Sequence, residues 1–316
     1  MNMDVFINLL VIIVSYVFVW IGSGFIIDSI DKLSHKLKIS SFAVSFFLLG
    51  ILTSIPEISL SLAAISEGTP EIFVGNLIGG IIVIFFLIIP LFAVLGNGIK
   101  LTNKIDSPTL LYAFILLLSP LIAVLDKKIS TTEGIFMIIM YAVLFVVVQK
   151  KKGILNGGSE LLKLKRYSIN DLLKILLGIG MVFVASNQIV DKTIFFASEF
   201  GVPTFFISLV VLSLGTNLPE ISLAVRALVE KKKDVAFGDY LGSGTANIII
   251  LAVMTLLNGG EVFTLNNFWR TLLIAAIGFA IFYHFTKSKH DLSRREGALL
   301  LLVYVTFLIV EGVMFL

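Results

Sequence analysis

The chain has no cysteine, which excludes a disulfide framework and any thiolate metal site. Histidine is almost as scarce. His35 and His290 fall in basic stretches and His284 at the end of an apolar run, so there is no histidine-rich metal centre and no catalytic pairing. Charge is scarce too: 14% of residues are charged and 58% hydrophobic, with a mean hydropathy of +1.04. A soluble domain around a single core does not have that balance; an integral membrane protein does, and an enzyme is not expected. The first apolar run has no small-residue cleavage signature and is followed by Asp28 and Asp31, so it reads as a retained helix.

What the chain does have is ten apolar runs long enough to span. They cover 4–27, 41–66, 71–96, 107–125, 130–149, 169–195, 203–229, 235–258, 267–286 and 295–315. A hydrocarbon core of roughly 30 Å needs about 20 helical residues, so each can cross it. Of the 24 lysines and arginines, 18 fall in alternate loops on one side: 28–40, 97–106, 150–168, 230–234 and 287–295. The positive-inside rule then predicts a multi-pass protein of the cell membrane with both termini outside and loop 150–168 in the cytoplasm. Lys150, Lys151 and Lys152 are assigned to topology rather than to nucleic acid. The partners expected are the lipid bilayer and inorganic cations; the sequence says nothing of oligomeric state.

One segment occurs twice. Thr53-Ser54-Ile55-Pro56-Glu57 and Thr216-Asn217-Leu218-Pro219-Glu220 lie 163 residues apart, each inside an apolar run. Between 42–84 and 205–247, 13 of 43 aligned positions are identical without a gap, including Pro-Glu-Ile-Ser-Leu at 56–60 and 219–223. The same offset pairs Gly75 with Gly238, Gly79 with Gly242, Ser23 with Ser186 and Asp28 with Asp191. Five spans precede the basic loop and five follow it. An odd number per copy makes the second copy run through the membrane the opposite way. The expected organisation is a first five-helix repeat over 1–149 (motif 50–84), a connector over 150–168 and a second five-helix repeat over 169–316 (motif 213–247). The fold class is all-α integral membrane, with helices broken at the midplane.

Proline lacks an N–H and clashes with the carbonyl four residues back, which opens the helical ladder. That carbonyl is Leu52 for Pro56 and Gly215 for Pro219. A glutamate follows each proline, and a carboxylate in mid-membrane marks an ion pathway. Carboxylates, freed carbonyls and the neutral oxygens of Thr53, Ser54, Thr216 and Asn217 make an oxygen-only set suited to hard cations such as Ca²⁺ or Na⁺, not zinc or copper. The alternative, a kink whose glutamate pairs with a buried lysine, finds no basic residue in mid-span, Arg226 lying nearer an end. Further on, Asp239, Ser243 and Asn247 recur every four residues, along one helix face. The first copy has Asn76, Gly80 and Ile84 there, so its polar stripe is eroded. Gly75, Gly79 and Gly80 favour close helix packing over a ligand role.

These residues resemble the alpha repeats of the cation/calcium exchanger superfamily, in particular the prokaryotic sodium/calcium antiporters. That family's pattern is Gly-Thr-Ser-Leu-Pro-Glu followed by Gly-Asn-x-x-Gly-Ser-x-x-x-Asn/Asp. The resemblance is double and inverted, and it covers essentially the whole chain. It implies that Glu57 and Glu220 share the centre of an ion site, with Thr53, Thr216, Gly50 and Ser213 offering backbone oxygens. Ser54 and Asn217 would support the site, and Ser243 and Asn247 would complete it, with Asp239 standing where the family has asparagine. It also implies that the long first helices of the two halves slide to alternate access. The departures are Leu52 for the motif glycine, Gly80 for serine, Ile84 for Asn/Asp and Asn247 where an acid is common. Two glutamates still balance one Ca²⁺ or two Na⁺, and a stoichiometry of three Na⁺ per Ca²⁺ does not follow.

The expected activity is a secondary antiporter exchanging Ca²⁺ for Na⁺, without a cofactor. The alternatives are a cation/proton antiporter of the same architecture, since a buried glutamate can carry H⁺, and a divergent non-exchanging or channel-like homologue. Glu311, near the outer end of the last run, is expected to snorkel to the interface.

Overall fold

The computed structural model describes residues 3–37, 50, 54–101, 106–152, 169–218, 220–221, 234–235, 237–264, 268–289 and 291–313. Ten helices longer than one or two turns lie among them, one in each place the apolar runs predict. They are α1 (Met3–Leu37), α2 (Ile55–Ser66), α3 (Glu71–Leu95), α4 (Ser107–Ala123), α5 (Thr131–Lys152), α6 (Ile169–Phe200), α7 (Thr204–Thr216), α8 (Phe237–Leu257), α9 (Trp269–Lys289) and α10 (Arg294–Val313). Eight are long and apolar enough to cross a membrane; α2 and α7, which carry the duplicated motif, are the two shorter ones. Large apolar side chains such as Phe6, Leu177, Phe136 and Leu302 are exposed along the outer helices, as a lipid-facing surface requires.

α1 is longer than its apolar run, continuing through Asp28, Asp31 and Lys32 to Leu37. Its 35 residues make it about 52 Å long at 1.5 Å per residue, against a core of roughly 30 Å. Its counterpart α6 has 32 residues and packs along it. At their crossing Gly22 is so close to α6 that an added Cβ would lie 2.9 Å from the Gly178 carbonyl oxygen and from Val182 Cγ2. Small residues let membrane helices approach in this way.

Short strands, which hydropathy does not reveal, tie the loops together. β1 (Ile99–Leu101) pairs with β3 (Asp234–Val235) and with β5 (Asp291–Leu292); β2 (Lys128–Ser130) pairs with β4 (Glu261–Phe263). The first sheet gathers three of the loops that carry the basic excess, so those loops share one end of the helices. The second joins the α4–α5 and α8–α9 connections at the other end. In the antiparallel pairs, Ile99 faces Leu292 and Lys100 faces Asp291, while Ile129 faces Val262 and Lys128 faces Phe263. Moving β1 forward and β5 back by 163 residues turns the first register into the second, residue for residue. The offset found in the ion motif thus also governs loop pairing at opposite ends of the molecule, which is what an inverted repeat demands.

The repeat is broken within α3. Val83–Ile88 is π-helical, and Pro90 explains it: without an N–H, Pro90 cannot bond the Phe86 carbonyl one turn back. The matching stretch of α8, with Val253 in place of Pro90, is regular α-helix. Phe85 and Phe86 then pack with Phe114, Phe279 and Phe282 at centroid distances of 4.9 to 5.9 Å. Pairs of this kind contribute about 0.5–1.5 kcal/mol each beyond their buried area, so this part of the first half is scaffold.

Candidate ion-binding site

The two motifs have the same backbone shape. Ser54 precedes α2 with φ −85° and ψ 13°, and Asn217 follows α7 with φ −85° and ψ 14°. Pro56 sits in the first turn of α2, where its missing N–H costs nothing, and Glu57 stands in that same turn at the positive helix end. Matching hydrogen bonds hold each break. Ser54 Oγ donates to the Gly50 carbonyl at 2.7 Å, and Asn217 Nδ2 donates to the Ser213 carbonyl at 2.7 Å. Ile58 N–H donates to the Ser54 carbonyl, and Ile221 N–H to the Asn217 carbonyl, both at 3.0 Å.

Around these breaks the packing is close. Gly50 lies against Gly242 of α8, where an added Cβ would be 2.8 Å from the Gly242 oxygen. Gly79 of α3 lies against Ser213 in the corresponding way, 2.7 Å from its Cβ. Each copy's glycine therefore seats the other copy's broken helix, which favours the packing role expected of Gly75 and Gly79.

The side chains that converge are buried: Ser54, Asn76, Ser213 and Asn217 at 0% exposure, Thr216 and Asn247 at 1%, Glu57 at 2%, Glu220 and Ser243 at 3%. Ser243 Oγ donates to Glu220 Oε1 at 2.8 Å, and Thr216 Oγ1 donates to Asn76 Oδ1 at 3.1 Å. The second-copy threonine is thereby bound to the first copy's α3. Glu57 and Glu220 are close enough to feel each other's charge. Glu57 Oε2, Asn217 Oδ1 and Asn247 Oδ1 are buried oxygens without a donor among the described residues. No lysine or arginine is buried among the described residues. A buried polar oxygen left unsatisfied costs about 1–3 kcal/mol, and more for a charged group. A cluster of such oxygens around two carboxylates is an arrangement that a hard cation completes.

The eroded positions are filled from the other copy. A Cβ at Gly80 would lie 2.6 Å from Asn247 Nδ2 and 3.1 Å from Asn217 Nδ2, so two second-copy amides occupy the space of a first-copy side chain. Asn247 Nδ2 is also 3.5 Å from the Leu77 carbonyl. Ile84 is fully buried in the π-helical turn.

The structure thus brings together Glu57, Glu220, Thr216, Ser54, Asn217, Ser243, Asn247, Gly50 and Ser213. Thr53 and Arg226 lie outside the described residues, and of Asp239 only the backbone, in α8, is described. Asn76 belongs to the site beyond the set picked from sequence; its pairing with Asp239 through the 163-residue offset was the signal for it. Glu311 corrects an expectation. Instead of snorkelling it is 3% exposed and accepts a hydrogen bond from Thr271 Oγ1 of α9, a hydroxyl near enough to satisfy it inside the protein.

Comparison with known proteins agrees with this layout. The family model described as sodium/calcium exchanger protein matches residues 7–150 and 171–312. Sodium/calcium exchanger MaX1 of Methanosarcina acetivorans is 25% identical over 345 residues, covering 96% of this chain and 98% of its own. Inner membrane protein YrbG of Escherichia coli is 25% identical over 282 residues, covering 83% and 86%. Among solved structures, the sodium-calcium exchanger NCX_Mj soaked with Na⁺ and Sr²⁺ superposes with a TM-score of 0.68 at 21% identity, over 96% of this chain and 97% of that one.

Proposed function

The chain belongs to the sodium/calcium exchanger protein family, and from that membership we propose that it is a secondary antiporter exchanging Ca²⁺ for Na⁺ by alternating access. The observation that carries this reading is the cluster of buried oxygens at Glu57, Glu220, Asn217 and Asn247, with no buried basic side chain among the described residues. The two carboxylates neutralise one Ca²⁺ or two Na⁺ in turn, so either cargo crosses without leaving net charge in low dielectric. The ligand set is Glu57 and Glu220 at the centre, with Thr53, Thr216, Ser54, Asn217, Gly50 and Ser213 from the breaks and Ser243, Asn247 and Asp239 from α8. Asn76 positions Thr216.

The halves 1–149 and 169–316 act as the two repeats joined by 150–168. The sheet of β1, β3 and β5 faces the cytoplasm with the basic loops, and both termini face outward. This reading is tested with purified protein in vesicles preloaded with Na⁺, with K⁺ or at a different pH. Ca²⁺ uptake follows the outward Na⁺ gradient. Uptake driven by the pH gradient alone reassigns the coupling ion to H⁺, and no gradient-driven uptake removes the antiport reading.

A further inference from the structure

The ring of Tyr16, on α1, lies directly over Gly215, the residue of α7 just before Thr216 and Asn217. A Cβ at Gly215 would collide with Cε1 and Cζ of that ring and lie 2.6 Å from Cδ1. The Tyr16 hydroxyl is buried and has no hydrogen-bond partner among the described residues. The contact with Gly215 is made by the ring carbons, so it is one of shape. Gly215 is also the residue whose carbonyl would have bonded residue 219, where Pro219 has no N–H to give.

The counterpart positions carry different residues. The 163-residue offset carries Tyr16 to Ile179 of α6 and Gly215 to Leu52. The long helix of the first half thus carries an aromatic ring opposite a glycine at the second half's break, where the offset has an aliphatic residue at each of the two positions.

We infer that Tyr16 is a positioning residue that ties α1 to the backbone of the second ion motif and so sets the rate of the access change rather than ion affinity. This rests on the antiport reading above. It has a physical basis in the site: Thr216 is fixed to Asn76 of α3, and Asn217 to the Ser213 carbonyl. A side chain seated on Gly215 therefore bears on a backbone that is itself held in place. Movement of α1 with α6 against the remaining helices must carry the ring off Gly215 or move the break with it.

The test uses full-length protein in Na⁺-loaded vesicles, with initial Ca²⁺ uptake measured across Ca²⁺ concentration. Tyr16→Ile is expected to change turnover by about tenfold while the KM for Ca²⁺ stays within about twofold, since it removes the ring from the moving contact and leaves the ion ligands in place. Gly215→Leu alone collides with the ring and loses at least about tenfold in turnover. The double variant Tyr16→Ile with Gly215→Leu introduces the residues that the offset places at Ile179 and Leu52 and recovers to within about threefold of the parent. Melting temperature of each purified variant separates a packing defect from a kinetic one.

Recovery in the double variant at near-constant KM supports the inference. Unchanged turnover in Tyr16→Ile, a KM shift in place of a turnover shift, or a double variant no better than Gly215→Leu overturns it while leaving antiport standing. A parent that takes up no Ca²⁺ under any gradient overturns the antiport reading and this coupling together.

Discussion

The two copies of the ion motif share a backbone but not a side-chain chemistry. At Ser54 and Asn217 the dihedral angles agree to within one degree, and the two capping bonds have the same length. Further along, on the polar stripe of α3 and α8, the copies part. Ser243 reaches Glu220 with its hydroxyl, whereas its counterpart Gly80 is a gap filled by Asn247 and Asn217. Backbone geometry at the break is set by proline and helix termination, which both copies keep. Ligands further along are set by single side chains, and one copy can lose them if the other supplies a replacement. In the proposed antiporter the duplication fixes where ions would sit, and the asymmetry decides how many oxygens each side offers.

The strongest way to break this comparison is at the residues that have not diverged. Glu57→Gln and Glu220→Gln each keep the shape and remove one charge. Each is expected to lower Na⁺-driven Ca²⁺ uptake by at least about tenfold, because hard-cation binding follows ligand charge. The loss should be similar in both, since both carboxylates face one cluster. Near-normal uptake in both variants, at normal membrane levels, would remove them from the centre of the site.

Much of this was legible in the sequence, and what was not has physical causes. Ten spans followed from apolar length, since each run must cross a fixed thickness. The breaks followed from Pro56 and Pro219, whose effect is local. The inverted order followed from an odd span count. The strands were not legible, because two or three residues between helices carry no periodicity. The π-helical turn at Val83–Ile88 was missed although Pro90 stood in view, since a proline reads equally well as the start of a helix. Gly80 read as loss because sequence shows what a position lacks, not which distant amide fills it. Glu311 failed for a similar reason: its partner Thr271 is 40 residues away on another helix.

The next effect sharpens the asymmetry. Serine at Gly80 would restore the family pattern on paper, yet its Cβ falls 2.6 Å from Asn247 Nδ2. Gly80→Ser is expected to lower uptake by about tenfold, the scale of a 1–3 kcal/mol overpacking cost. Gly80→Ser with Asn247→Ser frees the space and should regain most of that loss. Equal activity of Gly80→Ser and the parent in the vesicle assay would show that Asn247 does not hold the position.

A smaller change is expected at Ile84. It is fully buried beside the aromatic cluster, so Ile84→Asn buries an amide at a cost of about 1–3 kcal/mol in stability. Melting temperature should fall, while the steepness of uptake against Na⁺ gradient stays that of the parent. A steeper Na⁺ dependence would instead show that position 84 still faces the ions and that the first copy can be rebuilt.

The smallest effect lies at the matched strand pairs. Lys128 Nζ meets Glu261 Oε1 at 3.2 Å across β2 and β4, and both side chains are well exposed. At the other end, the offset puts Asp291 in place of Lys128 and Gly98 in place of Glu261, so that ion pair has no counterpart. The register is nevertheless the same at both ends. Backbone pairing and the buried Ile129, Val262, Ile99 and Leu292 therefore suffice to set it, and the ion pair is an addition to one copy. Exposed pairs contribute about 0.2–1 kcal/mol and are screened by salt. Glu261→Gln should lower the melting temperature in detergent by a degree or two at most, about what such a pair is worth in a chain of this size. The small difference should vanish in high salt, and uptake should not change. A large drop that persists in high salt would mean that the β2–β4 contact depends on this pair, and that the two ends of the molecule are held by different forces despite their common register.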